Sequence, residues 1–154
     1  MSLPENYSIR RMVSSDYDRG VLTTLEALTV VGTISKYQFQ ALVNKWESLE
    51  LNNGKFMYNP TVIVDGDDTV VATGMILIEE KLIHQCGLVG HIEDIAVRKD
   101  QQGKQLGKIL INHLTQIGKD AGCYKIILDC DPKNVGFYEK CGYKNNGLEM
   151  EIRQ

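Results

Sequence analysis

The run Gln102-Gly103-Lys104-Gln105-Leu106-Gly107-Lys108 lies between a β-rich stretch, Leu88 to Val97, and a segment whose Leu106, Ile109, Leu110, Leu114, Ile117 and Ala121 keep helical spacing. A glycine-bearing strand-to-helix turn directs several backbone N–H groups outward at the positive end of the helix dipole. That is a seat for phosphate, with a diphosphate as the natural guest. The spacing is neither that of a Walker loop nor GxGxxG. Two glycines alone are better explained by a tight turn and close helix packing. A second chemical feature is the placing of carboxylates: Glu93 and Asp94 interrupt one apolar run, and Asp129 ends another. Unpaired acids are costly to bury, so these should have polar partners. Strand-end solvation or helix capping is the plainer role, and it suits Asp131, just before Pro132, best.

Metal chemistry is poorly supported. His84, Cys86 and His91 match no standard zinc spacing and lack an evident fourth ligand. Asp65-Gly66-Asp67-Asp68 lacks the later glycine and closing glutamate of an EF-hand loop, and reads instead as a hairpin turn using the positive φ that Asp-Gly tolerates. Cys86, Cys123, Cys130 and Cys141 show no CxxC spacing, and none has a neighbouring base in sequence that would mark a cysteine nucleophile. Reduced, mostly buried thiols in a cytosolic protein are expected.

The elements around these residues follow from periodicity. Tyr7 to Met12 reads as a short strand, after which Ser14, Ser15 or Asp16 caps a helix running towards Leu28. Ser35 caps a second helix that buries Phe39, Leu42, Val43, Trp46 and Leu49. Thr61–Val64, Thr69 to Ile78 and Leu88–Val97 read as strands, and Gly122 ends the long helix as a left-handed cap. Lys125–Cys130 reads as a buried strand, Asn134–Cys141 as a short helix and Leu148–Ile152 as a final strand. Antiparallel hairpins followed by a β-α-β unit imply an α/β (α+β) domain, a mixed central sheet with helices on both faces.

The 154 residues are near the size of one compact domain, here 1–154, with no linker or repeat dividing them. A net charge of −3, with 17 basic and 20 acidic residues interspersed, argues against a non-specific grip on nucleic acid or an anionic membrane. No apolar run reaches the roughly 20 residues that cross a bilayer. The first residues lack the basic-then-apolar order of a secretory signal. Any bound anion must be held locally.

The turn after Val97 resembles the pyrophosphate signature of the GNAT superfamily of acetyl-CoA-dependent N-acetyltransferases, (Gln or Arg)-x-x-Gly-x-(Gly or Ala). Gln102 and Gly107 match, and Gln105 replaces the middle glycine, requiring a right-handed backbone or a strained left-handed one. Gly90-His91-Ile92-Glu93-Asp94-Ile95-Ala96-Val97, the run Ile127 to Tyr143, Leu28 to Ile34 and Glu151-Ile152-Arg153 together are similar to the glucosamine 6-phosphate N-acetyltransferases of yeast type. The match spans nearly the whole chain.

That resemblance implies a metal-free enzyme that joins acetyl-CoA and glucosamine 6-phosphate by direct attack, on the route to UDP-N-acetylglucosamine. It implies that the strand ending at Ile95, Ala96 and Val97 splays from its neighbour, with the Ile95 amide on the acetyl oxygen. Gly103, Lys104, Gln105, Leu106, Gly107 and Lys108 would cradle the pyrophosphate, and Asn134 would touch CoA. Tyr138 would protonate the departing thiolate and Asp129 would orient the amine, with Glu93, Asp94 and Thr29 on the sugar. Lys81, His84 and Arg153 would hold the phosphate in a homodimer whose sites are completed across the twofold. A larger side chain is common in relatives at Gly136. Two rival readings share the CoA half: an acetyltransferase for peptides or polyamines, and a non-catalytic acyl-CoA-binding module.

Overall fold

Val62, Ile63, Val64, Val70, Val71 and Ala72 are apolar without alternation, the pattern of strands covered on both faces, and all six are buried. The computed structural model describes all 154 residues. Five strands, β1 (Ser8–Arg11), β2 (Tyr58–Val64), β3 (Val70–Glu80), β4 (Leu88–Val97) and β5 (Cys123–Ile127), form one sheet in sequence order. The first three pairings are antiparallel and the β4–β5 pairing is parallel. The helices are α1 (Val21–Leu25), α2 (Lys36–Ser48), α3 (Ile83–Cys86), α4 (Leu106–Ala121) and α5 (Val135–Lys140).

The two faces have separate cores, which makes this the mixed sheet with helices on both sides that the sequence implies. On one face Leu106, Leu110, Ile111, Leu114 and Ala121 of α4 pack on Ile63, Val71, Ile76, Ile78 and Ile92. The approach is close because Gly90 of β4 and Gly118 of α4 lie on either side of Ile76. A Cβ added to either would come within 2.8 or 2.9 Å of the Ile76 Cδ1. On the other face Val21, Phe39 and Val43 cover Met12, Val62, Val64 and Val70. The capping box at Ser35 forms as its sequence dictates, with the Gln38 amide donating to Ser35 Oγ and Gln38 returning the bond.

Several expectations need correction. The first helix is a 3₁₀ segment, Ser14–Arg19, broken from α1 by left-handed Gly20, and its N-cap is Val13. Asp16 is drawn into the interior instead: its carboxylate accepts from the Val13 amide at 2.8 Å and pairs with Arg10 at 2.8 Å, its side chain fully buried. Leu42 of α2 is exposed, while Phe39 and Val43 of that face are buried and Trp46 packs against them half-buried. In the β2–β3 hairpin the left-handed residue is Asp68, not the Asp-Gly pair, because the Asp65 carboxylate ties down the Asp67 and Thr69 amides. Strand β5 stops at Ile127 and lies at the sheet edge with Tyr124 and Ile127 exposed, so it is not a buried strand. Leu148–Ile152 forms no strand and pairs with none of the five. None of the cysteines is buried: Cys86 is exposed and the other three are half-buried, all as free thiols. No helix is long and apolar enough to cross a membrane.

Asp16 supports a stability prediction. Burial alone would raise its pKa, but the bonds from Arg10 and Val13 and the nearby Arg19 outweigh that and hold it below the usual carboxylate range. The charged form is therefore favoured by folding, and this contribution is lost as pH falls through the lowered folded-state value. Asp16→Asn should cost about 3 kcal/mol at neutral pH, the lower end for breaking a buried pair because Arg10 is partly exposed. Urea unfolding across pH checks it, with the gap between variant and parent closing in acid.

Candidate active site

Strand β4 is the centre of the site because its two edges behave differently. Towards β3 it is paired over most of its length, with a register shift opposite Thr73 to Met75. At that shift Asp94 has a φ of 55°, the left-handed backbone of a bulge. Towards β5 the pairing ends at His91–Ile127. From Ile92 to Val97 that edge has no strand beside it, so the expected splay is present and Ile95 lies within it. The Ile95 side chain is turned into the α4 face, its Cδ1 2.5 Å from where a Cβ on Gly74 would stand. Gly74 thus makes room for Ile95 and leaves the Ile95 main chain at the open edge. Ala96 is buried and contributes only main chain there.

The turn before α4 lies beside this cleft. None of the amides from Gln102 to Lys108 donates to a protein acceptor, and α4 has no side-chain N-cap. Gly103 and Gln105 both have left-handed backbone, with φ of 85° and 61°. Gln105 therefore takes the strained option, as a glycine would at no steric cost. Left-handed geometry costs about 1–2 kcal/mol in a side-chain-bearing residue, more than the roughly 0.5–1 kcal/mol entropic penalty of glycine. Gln105→Gly should raise stability by up to about 1 kcal/mol in thermal unfolding. Leu106 is a core side chain that offers only its amide. Gly107 serves packing as well: a Cβ there would meet the Phe137 ring at 3.4 Å. Lys104 reaches back to Tyr7 and Gln101, each at 3.0 Å, while burial pushes the Cys141 thiol pKa up and nearby Lys108 offsets only part of that rise.

Tyr138, on α5, stacks on Phe137 with ring centroids 5.0 Å apart and meets Tyr143 edge-on at 6.5 Å. Burial pushes its phenol above the ordinary tyrosine range, with Cys130, Cys141 and Tyr143 adding to the effect. It keeps its proton at neutral pH and so can serve as a donor. Asn134 is exposed at the start of the same helix, and the space around Gly136 is open.

The carboxylates do not have the polar partners expected of them. Glu93, Asp94 and Asp129 are exposed, with Asp94 and Asp129 both close to Glu93. Desolvation, then Asp94 and Asp129, raise the Glu93 pKa; His91 opposes this and Glu149 of the C-terminal segment adds to it. Exposure makes the clustering tolerable, and an incoming cation is the partner that would relieve it. The acids and the phenol are linked through the chain: Asp129 lies near Glu93, and the next residue, Cys130, lies near Tyr138. Asp131 caps the following turn through the Lys133 amide.

One chain does not assemble the phosphate ligands. Lys81 is paired with Glu79 at 3.4 Å, and Glu79 also takes a bond of 2.9 Å from His91. His84 is in left-handed backbone in α3 and stacks on Tyr124 at 4.1 Å. Arg153 is 82% exposed and bonds only Glu151. Thr29 lines a separate cleft with Glu26, Leu28, Val30, Val31 and Gly32. Sequence reasoning missed Glu149, Cys130 and Gly74. Only Gly74, a glycine within a strand, carried a signal, since such glycines mark bulges or close approach.

The GNAT acetyltransferase family model matches residues 22–143. The chain belongs to that family. This acetyltransferase is 53% identical to the glucosamine 6-phosphate N-acetyltransferase of Candida albicans, with 99% of each chain covered. It is 36% identical to the enzyme of that name from Arabidopsis thaliana, over 96% of this chain and 97% of that one. The crystal structure of the glucosamine-6-phosphate N-acetyltransferase from Arabidopsis thaliana superposes with a TM-score of 0.89, covering 97% of this chain and 99% of that chain at 36% identity. GNAT acetyltransferases use acetyl-CoA. The open β4 edge and the seven free amides of residues 102–108 fit the pantetheine arm and the pyrophosphate of such a molecule.

Proposed function

We propose that the chain transfers the acetyl group of acetyl-CoA to the 2-amino group of D-glucosamine 6-phosphate, giving N-acetyl-D-glucosamine 6-phosphate and CoA. The observation that carries this reading is the open β4 edge with Asp94 and Asp129 close to Glu93 at its end, Asp129 being followed in the chain by Cys130, which lies near the protonated Tyr138 phenol. The full-length likeness to enzymes of that name supports the acceptor.

When bound, acetyl-CoA supplies an activated thioester. The Ile95 amide polarises the acetyl oxygen, on which negative charge grows during attack. Asp129 orients the amine. The acidic cluster attracts the ammonium form of the amino sugar, and Glu93, with its raised pKa, is placed to take a proton as that amine becomes the nucleophile. Tyr138 gives its proton to the departing thiolate sulfur. Ala96 and Val97 bind the arm through main chain, Asn134 contacts CoA, and Lys104 and Lys108 add charge near the pyrophosphate.

The phosphate is held by Lys81, His84 and Arg153, with Arg153 coming from a second copy, so the working form is a homodimer with shared sites. Leu148, Met150 and Ile152, on alternate positions and each about nine-tenths exposed, form the apolar face that such a partner would cover. The protein works in the cytosol, on the route to UDP-N-acetylglucosamine, without metal, nucleic acid or membrane.

Measuring thiol release with glucosamine 6-phosphate beside unphosphorylated glucosamine, peptides and polyamines tests the reading. A strong preference for the phosphorylated sugar is expected. Equal rates for the two sugars, or release with peptides alone, would overturn the acceptor; tight CoA binding with no release from any amine would leave only a binding module.

A further inference from the structure

Tyr143 follows α5, and its phenol reaches back to α4, where Oη lies 2.6 Å from Thr115 Oγ1. The direction of that bond follows from the other one Thr115 makes. Thr115 Oγ1 is 2.7 Å from the Ile111 carbonyl, which can only accept, so the single threonine proton goes there. Tyr143 therefore donates to Thr115, and the chain tyrosine hydroxyl, threonine hydroxyl, helix carbonyl ties the segment after α5 to the middle of α4. Both hydroxyls are half-buried, so the pair is shielded from competition by water.

The same tyrosine grips Tyr138 in two ways. Its amide donates to the Tyr138 carbonyl at 3.1 Å, and its ring meets the Tyr138 ring edge-on, 82° between planes. On the other side Tyr138 stacks on Phe137, which rests against Gly107 in the first turn of α4. The phenol is thus clamped between two aromatic rings, each referred to α4, the helix whose N-terminal amides form the candidate pyrophosphate seat.

We propose that Thr115 and Tyr143 are positioning residues that set the Tyr138 phenol relative to the acyl sulfur. This rests on the reading of Tyr138 as proton donor. Neither residue touches a substrate. With the latch formed, a proton donor on α5 and an anchor for the cosubstrate on α4 keep a fixed separation, so the cosubstrate is seated with its sulfur in reach of the hydroxyl.

The test uses Tyr143→Phe, Thr115→Val and Thr115→Ser in the full chain, each also combined with Tyr138→Phe, in steady-state thiol release with glucosamine 6-phosphate. Tyr143→Phe and Thr115→Val should each lower kcat about tenfold while the KM for acetyl-CoA stays within about twofold, since misplacement penalises the reacting geometry more than binding. Thr115→Ser, which keeps the hydroxyl, should restore kcat. On the Tyr138→Phe background the latch variants should cause no further loss.

Wild-type kcat in both latch variants, beside a slow Tyr138→Phe, would overturn the latch alone. The same proportional loss on both backgrounds would also overturn it, by showing a merely structural role. A full rate for Tyr138→Phe itself would remove the proton-donor reading and the latch with it. Should Tyr143→Phe fail to fold, Thr115→Val carries the test, because it removes the acceptor while keeping the branched shape.

Discussion

Tyr138→Phe should lower kcat about a hundredfold, near 2.7 kcal/mol of transition-state stabilisation, the lower end of what a positioned general acid supplies. The substitution removes one oxygen and keeps the ring, so the stack on Phe137 and the edge contact with Tyr143 both survive. Affinity for acetyl-CoA should therefore stay within about twofold, an outcome that separates a lost transition-state interaction from lost binding. Because burial raises the phenol's pKa, the parent should keep its full rate up to and beyond the ordinary tyrosine value of about 10. Steady-state kinetics with a CoA-binding measurement on the same preparations check this, and a variant running at the parental rate would end the assignment.

Arg153→Ala should lower kcat/KM for glucosamine 6-phosphate by about two orders of magnitude, the loss expected when a charged hydrogen bond to the phosphate is removed. With unphosphorylated glucosamine the same variant should perform like the parent. In one chain Arg153 is exposed and satisfied only by Glu151, two residues away, so its removal costs the isolated fold nothing. A selective effect would place it against the substrate phosphate, in the homodimer proposed above that of a second copy. Sedimentation equilibrium on parent and variant shows whether the dimer is present in both. An equal loss with both sugars would point instead to a damaged assembly.

Much of the fold was legible because its signals are local. The bounds of β4 and α4, the Gly122 cap and the Ser35 cap follow from periodicity and end chemistry within a few residues. The unpaired end of β4 was implied by resemblance to a family and not by Ile-Ala-Val itself, which is equally suited to a buried strand. What sequence did not disclose depends on distant partners. Asp16 reads as a helix cap until Arg10 and Arg19 are seen to draw it inside. Asp94 and Asp129 come close to Glu93 with no hydrogen-bonded partner for any of the three, which no spacing shows. The left-handed backbone of Asp94 is equally silent, since aspartate gives no cue of the kind glycine gives. The C-terminal segment has the alternation of a strand, yet it pairs with none of the five strands of this chain.

The bare stretch of β4 also has a cost in handling. Its row of unclaimed donors and acceptors would accept any extended polypeptide as readily as a pantetheine chain, which is how exposed strands recruit neighbours into aggregates. Ligand occupancy therefore doubles as a guard, and preparations concentrated without coenzyme should be the ones that precipitate.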